Sequence, residues 1–334
     1  MKKISQSVVA TRHWWAAWLT ACVFVLLPGL VAAQEYPNKP ITLVVAYPPG
    51  GGVDAVTRLV GQKLSEVVSV SVVVENRPGF SGNIGAASVA HAPGDGYTLL
   101  LAPWTTYAIN AVLYPGRVGY ALDKDFAAVT VIGYLPLVLV VNPQVPAHTV
   151  QELIAYAKAK PDAISFGSTG PGSLEQVAAE MLKIQTGVQM VHVPYKGNAP
   201  AVTDLISGQI QMLFTTAPTW AAHANSGRLR ALMVTSPQRS GAFPELPTPK
   251  ESGLPSFDVY STYGLLAPAG TPPSIIKRLN EAMMKVLENP DTRTRFRVLG
   301  IEAAPSTPEA ATQRIAGDMT KWESIIKAAN IKAE

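Results

Sequence analysis

Runs of apolar, mostly β-branched residues alternate along this chain with stretches whose apolar positions recur every three or four residues. The runs predict strands at 41–47, 70–75, 97–102, 128–134, 137–142, 164–168, 189–193, 210–215, 230–235 and 263–267. The helical stretches fall at 53–67, 82–91, 149–160, 173–186, 199–207, 272–288, 290–298 and 307–328. In the first of these, Val53, Val56, Val60, Leu64 and Val67 keep to one face. Thr271 followed by Pro272 predicts an N-cap and a first-turn proline for the helix carrying Ile275, Leu279, Met283 and Val286. Alternation of this kind predicts the α/β class with largely parallel strands.

Proline marks where such a chain divides. The segments Asn142 to Pro146 and Pro237 to Pro255 are both proline-rich. The βα units between them are expected to form their own sheet, and the C-terminal helices to return to the first. The expected division is a leader at 1–33, one lobe from 34–142 with 250–334, and a second lobe at 143–249. Two chain crossings between the lobes make a double hinge with a cleft between.

Composition sharpens the class. At 334 residues and 48% hydrophobic content the chain can bury a large core, and only 15% charged residues argues against long disordered or coiled segments. The formal charge of +4 owes most to residues 1–33, which hold Lys2, Lys3 and Arg12 and no acid. Without them the remainder is almost neutral, with no Lys/Arg cluster of the kind nucleic acid needs. Those basic residues, the apolar run Trp14 to Leu30 broken by Pro28-Gly29, and the small residues Val31-Ala32-Ala33 read as an export signal cut before Gln34. An uncleaved anchor and a lipoprotein box at Leu19-Thr-Ala-Cys22 are the alternatives. Cys22 is the one cysteine, so a chain cut at Ala33 has no disulfide and no thiolate ligand.

The candidate chemistry lies in loops. Strand 41–47 runs through Pro48-Pro-Gly-Gly-Gly52 into a helix at Val53-Asp54-Ala55. Bare backbone at a helix start leaves amide N–H groups unpaired and aimed at one point, which suits an anion. Ser168-Thr-Gly-Pro-Gly-Ser173 repeats the arrangement half a chain later, with Ser173 as a natural N-cap. Two such seats behind an export signal suggest a carrier of small organic acids outside the cytoplasm. Gly50-Gly-Gly52-Val-Asp-Ala55 also fits the dinucleotide pattern G-x-G-x-x-A, with Glu75 ending the second strand. Export and the stiff Pro48-Pro49 entry weigh against it. A further glycine segment, Asn76 to Gly85, offers Ser81 and Asn83, and Val193-Pro-Tyr-Lys-Gly197 offers Tyr195 and Lys196. Capping alone explains Asp54, Ser81, Asn83 and Ser173 equally well, and Lys196 reads equally as a solvated surface charge. None of the five histidines has metal-site spacing, and His192 between valines reads as a packed strand residue. No metal site or catalytic triad emerges.

These residues together resemble the extracytoplasmic solute receptors of tripartite tricarboxylate transporters, the Bug family. The resemblance covers roughly residues 35–334. It rests on Tyr36-Pro-Asn-Lys-Pro-Ile41, Tyr47-Pro-Pro-Gly-Gly-Gly-Val-Asp54, Val74-Glu-Asn-Arg-Pro-Gly-Phe-Ser-Gly-Asn-Ile-Gly85, Pro93-Gly-Asp-Gly-Tyr-Thr98, Val193-Pro-Tyr-Lys-Gly197 and Leu266-Ala-Pro-Ala-Gly-Thr-Pro272. It implies a periplasmic-binding-protein-like fold of two α/β lobes that close on a small carboxylate, aromatic acids included. It implies delivery of that ligand to a permease of two membrane subunits; a monomeric receptor with no cofactor, no metal and no catalysis is expected. By position it points to Tyr47, Pro49, Gly50, Gly51, Gly52, Asp54, Ser81 and Asn83 from the first lobe, with Thr105 and Tyr107 after the third strand. From the second lobe it points to Gly170, Gly172, Ser173, Tyr195 and Lys196. Replacing Gly51 with valine is therefore expected to abolish binding and spare the fold. A receptor presenting ligand to a membrane sensor, and an exported enzyme on organic acids, are the alternatives. Two departures affect the pocket. Thr215 and Thr216 stand where the family often has an acid able to meet a ligand amine, so its loss argues against an amino-acid ligand, and Thr262 stands where the family often has tryptophan.

Overall fold

The first three strands pair as parallel neighbours because helices carry the chain back between them. β1 (Ile41–Val45) lies between β2 (Val72–Asn76) and β3 (Thr98–Pro103), with Leu43 opposite both Val74 and Leu99. α1 (Gly52–Val68) makes the first return and buries Val56, Leu59, Val60 and Leu64. The one-sided apolar stripe is what seats it on the sheet. α2 (Asn83–Ala90) makes the second return. The computed structural model describes residues 36–332 apart from Pro171, Lys196, Ala222 and Asn225. The expected leader, its cleavage site, Cys22 and Lys196 lie outside the described residues. From Lys39 onward the chain packs as one compact unit.

The middle of the sheet departs from expectation. The two strands expected at 128–134 and 137–142 are one, β4 (Phe126–Val141), 16 residues long. Up to Pro136 it pairs antiparallel with β9 (Tyr260–Pro268). From Leu137 it pairs antiparallel with β7 (Met212–Thr216) on one side and β8 (Arg230–Val234) on the other. β9 in turn runs antiparallel to β3. β5 (Ser165–Ser168) pairs parallel with both β6 (Val191–Pro194) and β7. The order is β2-β1-β3-β9-β4-β7-β5-β6, with β8 and the two-residue β10 (Glu302–Ala303) also on β4. The sheet is thus mixed, not largely parallel. Runs buried on both faces read alike whichever way their neighbours run.

β4 shows how burial sets its alternation. Leu137, Leu139 and Val141 enter the main apolar cluster, while Val138 and Val140 enter a second one with Leu205, Leu213 and Trp220. Successive strand residues point to opposite faces, so one strand feeds two cores. At the changeover Leu137 N donates to Thr235 Oγ1 at 2.8 Å, and Thr235 N donates to Leu137 O at 2.8 Å. Here the segment leading from β8 back to β9 runs beside β4.

The remaining helices are α3 (Trp104–Leu113), α4 (Val150–Ala159), α5 (Leu174–Thr186), α6 (Asn198–Ser207), α7 (Ala217–Ala221), α8 (Pro273–Glu288), α9 (Pro290–Val298) and α10 (Pro308–Ala328). Thr149, Ser173 and Thr307 cap α4, α5 and α10 by accepting an N–H three residues on. On α8 the cap falls on Pro272 with Pro273 in the first turn, one residue later than expected. α10 packs on both α3 and α5, and its Trp322 and Ile326 join the main cluster with Val44, Leu100, Phe166 and Leu182. α3 was not expected. Seven of its ten residues are buried, so it has no polar stripe to betray a helical period. No helix among the described residues is long and apolar enough to cross a membrane.

Candidate functional site

The carboxyl ends of β1, β3, β5 and β7 all face one cavity of about 360 Å³. Strand carboxyl ends are where open α/β sheets present backbone and loop groups to ligands. Tyr47 and Val53 follow β1, Ser81 follows β2, Pro103 ends β3, and Thr106, Asn110 and Tyr114 come after it. Thr169, Gly172, Ser173, Leu174 and Glu175 follow β5, and Thr216 ends β7. Leu135 and Leu137 of β4, with Ser261 and Tyr263 of β9, complete the lining. Another cavity of about 330 Å³, beside Arg293, Arg297 and Glu302, has no such relation to the strand ends.

Three helices begin at the cavity. Val53 is in the first turn of α1, Thr106 in that of α3, and Leu174 and Glu175 in that of α5. A helix start carries partial positive charge and amides with no carbonyl four residues back. Tyr47 Oη donates to Ser81 O at 3.2 Å. Ser81 is held on a turn in which Gly79, Phe80, Ser81 and Gly82 all have positive φ. Left-handed backbone at Phe80 and Ser81 costs energy that the surroundings must supply. Part of that support comes from Gly82, where an added Cβ would lie 3.0–3.1 Å from the rings of Tyr47 and Tyr107.

Of the fifteen expected site residues, the structure brings Tyr47, Ser81, Gly172 and Ser173 to the cavity wall. Pro49, Gly50, Gly51 and Gly52 are exposed beside it, and the wall is made instead by Val53. Asp54 is buried and turned back on its own loop. Its carboxylate accepts Gly50 N at 2.9 Å, Arg58 Nε at 2.9 Å and Asn76 Nδ2 at 2.8 Å. The Arg58 bond is the main reason its carboxyl is held down to about 2, with Gly50 N–H and the Asn76 amide acting the same way against burial. Asn83 lies under the strained turn, donating to Phe80 O at 2.7 Å and accepting from Tyr120 Oη at 2.7 Å. Thr105 ties α3 to β9 through Thr262 N at 2.9 Å, and the neighbouring Thr106 faces the cavity. Tyr107 is fully buried, and its hydroxyl has no hydrogen-bond partner among the described residues. Gly170 donates to Ser168 Oγ at 3.2 Å, and Tyr195 Oη donates to Asp204 at 2.8 Å; neither lines the wall.

The residues that pattern-reading missed have a common signature. Thr216 ends β7 and Thr169 directly follows β5, Ser261 and Tyr263 alternate on β9, and Thr106 and Asn110 are one turn apart on α3. Strand termini and side-chain period would have found most of them.

Electrostatics are weak but directional. Among the described residues Glu175 is the one carboxyl side chain on the wall, and Thr169 Oγ1 donates to it at 2.9 Å. Burial pushes the phenols of Tyr47 and Tyr263 up, so both stay protonated donors. Behind α5, Gln176 Oε1 accepts Gly172 N at 2.7 Å, and Gln176 Nε2 lies 3.3 Å from His192 Nδ1. His192 Nε2 lies 2.7 Å from Ser168 Oγ. Burial, then Lys183, lowers the affinity of His192 for a proton, so the ring is neutral near pH 7. The Ser168–His192 distance would suit a nucleophile and its base. Ser168 is fully buried off the wall, however, and its hydroxyl braces the turn at Gly170. No group of three or more potential metal ligands occurs among the described residues.

A mixed α/β sheet with a cavity at its strand ends, onto which three helix starts open, can seat a small anionic ligand. The profile of the "Tripartite tricarboxylate transporter family receptor" matches residues 56–331, and the chain belongs to that family. Rpa4515 of R. palustris, solved with adipate, is 34% identical, with 89% of this chain and 99% of that one covered at a TM-score of 0.75. The periplasmic binding protein BugD is 31% identical, covering 90% and 100% at 0.71. MatC of Rhodopseudomonas palustris, solved with malate, is 29% identical, covering 87% and 100% at 0.69.

Proposed function

We propose that this protein is a periplasmic receptor that captures a small organic acid in the cavity between β1–β3 and β5–β7 and delivers it to a permease of two membrane subunits. On this reading it acts as a monomer and performs no chemistry on its ligand. The observation that carries the reading is the meeting of three helix starts, α1 and α3 from one half and α5 from the other, at one cavity. The adipate and malate seen in relatives support a carboxylate of that size.

Mechanism follows from where the donors sit. Tyr47, Ser81 and the α1 and α3 starts belong to residues 34–142, and Thr169 and the α5 start to residues 143–249. We take these as the two lobes, joined through β4 and by the segment running from Thr235 to β9. A carboxylate that accepts from both lobes is satisfied fully only when they are together, so binding favours closure by its differential affinity for that state. Each charge-assisted hydrogen bond contributes roughly 1.5–3 kcal/mol, and a micromolar dissociation constant corresponds to about −8 kcal/mol.

The test is a thermal-shift and calorimetry screen of mono-, di- and tricarboxylates, aromatic ones included, on protein purified after export. At least one acid should raise Tm with one-to-one stoichiometry and be recovered unchanged, the stabilisation reaching about 2.7 kcal/mol at a hundredfold excess over Kd. A screen in which no acid moves Tm would overturn the reading.

A further inference from the structure

The two sides of the cavity are not electrically alike. The side built after β1–β3 offers two helix starts and the neutral groups Tyr47, Ser81 and Thr106. The other side offers the start of α5 but also the carboxylate of Glu175, which accepts from the Thr169 hydroxyl. Glu175 completes no network of the kind that occupies Asp54. Asp54 has an arginine, an amide and a backbone N–H, all off the wall. A carboxylate on the wall of a cavity repels a second carboxylate placed against it and accepts from a hydroxyl or an ammonium.

We infer that Glu175 sets the polarity of the bound ligand. The ligand's carboxylate sits toward Tyr47, Ser81 and the starts of α1 and α3, and a hydrogen-bond donor at its other end, ammonium first and hydroxyl second, sits on Glu175. The preferred ligand is then an amino or hydroxy acid whose two polar ends are separated by a short apolar stretch, which fits the apolar wall at Val53, Leu135 and Leu137. This inference rests on the carboxylate-receptor reading and narrows its ligand.

Two matched series test it. Adipate, 5-aminopentanoate, 5-hydroxypentanoate and hexanoate differ only in the group at one end; glutarate, 4-aminobutanoate, 4-hydroxybutanoate and pentanoate form the shorter set. With the exported wild-type protein, the amino member of at least one series should bind tenfold or more tightly than its dicarboxylate, with the hydroxy member between. In Glu175→Gln, which keeps the size of the side chain and an acceptor for Thr169, the amino member should lose at least tenfold and the dicarboxylate should gain. An unliganded Tm within a few degrees of wild type shows that the variant is folded; Glu175→Ala repeats the measurement if it is not. A wild-type protein that binds the dicarboxylate best, or a ranking untouched by both substitutions, overturns the role of Glu175 while leaving the receptor reading standing. Absence of binding by any acid, in these series and in the broader screen, overturns both.

Discussion

The two glycine turns are built to one plan and closed by different chemistry. In each, a glycine N–H donates to the side chain four residues on: Gly50 to Asp54 at 2.9 Å, and Gly172 to Gln176 at 2.7 Å. At the first turn the acceptor is a carboxylate, and Arg58 balances its charge from a half-exposed position. At the second it is a neutral amide, steadied by the neutral ring of His192. Their packing differs as much. A Cβ added at Gly50 would meet nothing within 4 Å, whereas one at Gly172 would lie 2.2 Å from Leu113 Cδ1. Glycine at the first turn supplies backbone freedom in open solvent. Glycine at the second also lets α5 approach α3 across the cavity.

The largest effect should therefore come from Gly172→Ala. The substitution forces a side chain onto φ +75° and into Leu113. Left-handed strain and overpacking together cost about 2–4 kcal/mol, or roughly 5–12 °C in Tm for a chain of this size. Gly50→Ala meets the same strain at φ +84° without the clash, so about 1–2 kcal/mol is expected. Adding Leu113→Ala to Gly172→Ala should recover at least about 1 kcal/mol relative to additivity, measured by a double-mutant cycle in urea. Equal losses at the two glycines, with no coupling to Leu113, would erase the distinction.

How much of this was legible beforehand divides along the same line. β1, its glycine turn and α1 follow from local pattern: a buried run, bare backbone, then Val56, Val60 and Leu64 on one face. The family's motifs lie in the same stretches, so they were equally visible. The union of strands 128–134 and 137–142 into β4 was hidden, because Pro136 looks like a break. It is instead the last residue of one pairing, opposite Tyr260. α3 was hidden by burial on nearly every side. For the site, sequence located the correct loops but often not the residues that face inward. Asp54 and Glu175 hold similar positions in the first turns of α1 and α5. The partners Arg58, one turn further along α1, and Asn76, on β2, decide that one turns back while the other stays on the wall.

Acid should separate the turns next. Asp54 is held down to about 2 against an ordinary 3.8, so its contribution is complete above about pH 4 and is lost as pH falls toward 2. His192 is also lowered, from 6.5, but there the favoured form is the neutral one. The unfolded chain then takes up the proton first, and stability starts to fall as pH drops below 6.5. Tm measured from pH 8 to pH 3 should show an early decline that His192→Gln removes and a late one that Asp54→Asn reduces. At pH 7 Asp54→Asn should also cost about 1–2 kcal/mol, because the Arg58 and Gly50 bonds weaken without leaving an empty space. An early decline that persists in His192→Gln would show that the second turn is not the proton-sensitive one.

The smallest effect belongs to Gly51, where the structure revises what its position in the glycine run implied. Its backbone is extended, at φ −81° and ψ 170°, a conformation any residue adopts. A Cβ there would have Pro48 O at 3.7 Å as its nearest neighbour, an ordinary contact. Alanine should change stability by less than about 0.5 kcal/mol, or raise it slightly by restricting the unfolded chain. Valine should likewise leave the fold intact. Because the wall is formed by Val53 and not by Gly51, Gly51→Val should change Kd for the bound acid less than threefold, where the glycine pattern alone implied abolition. A tenfold loss in calorimetry, with Tm of the free protein unchanged, would bring the ligand out over the first turn. It would then make that turn, and not only the helix start behind it, part of the seat.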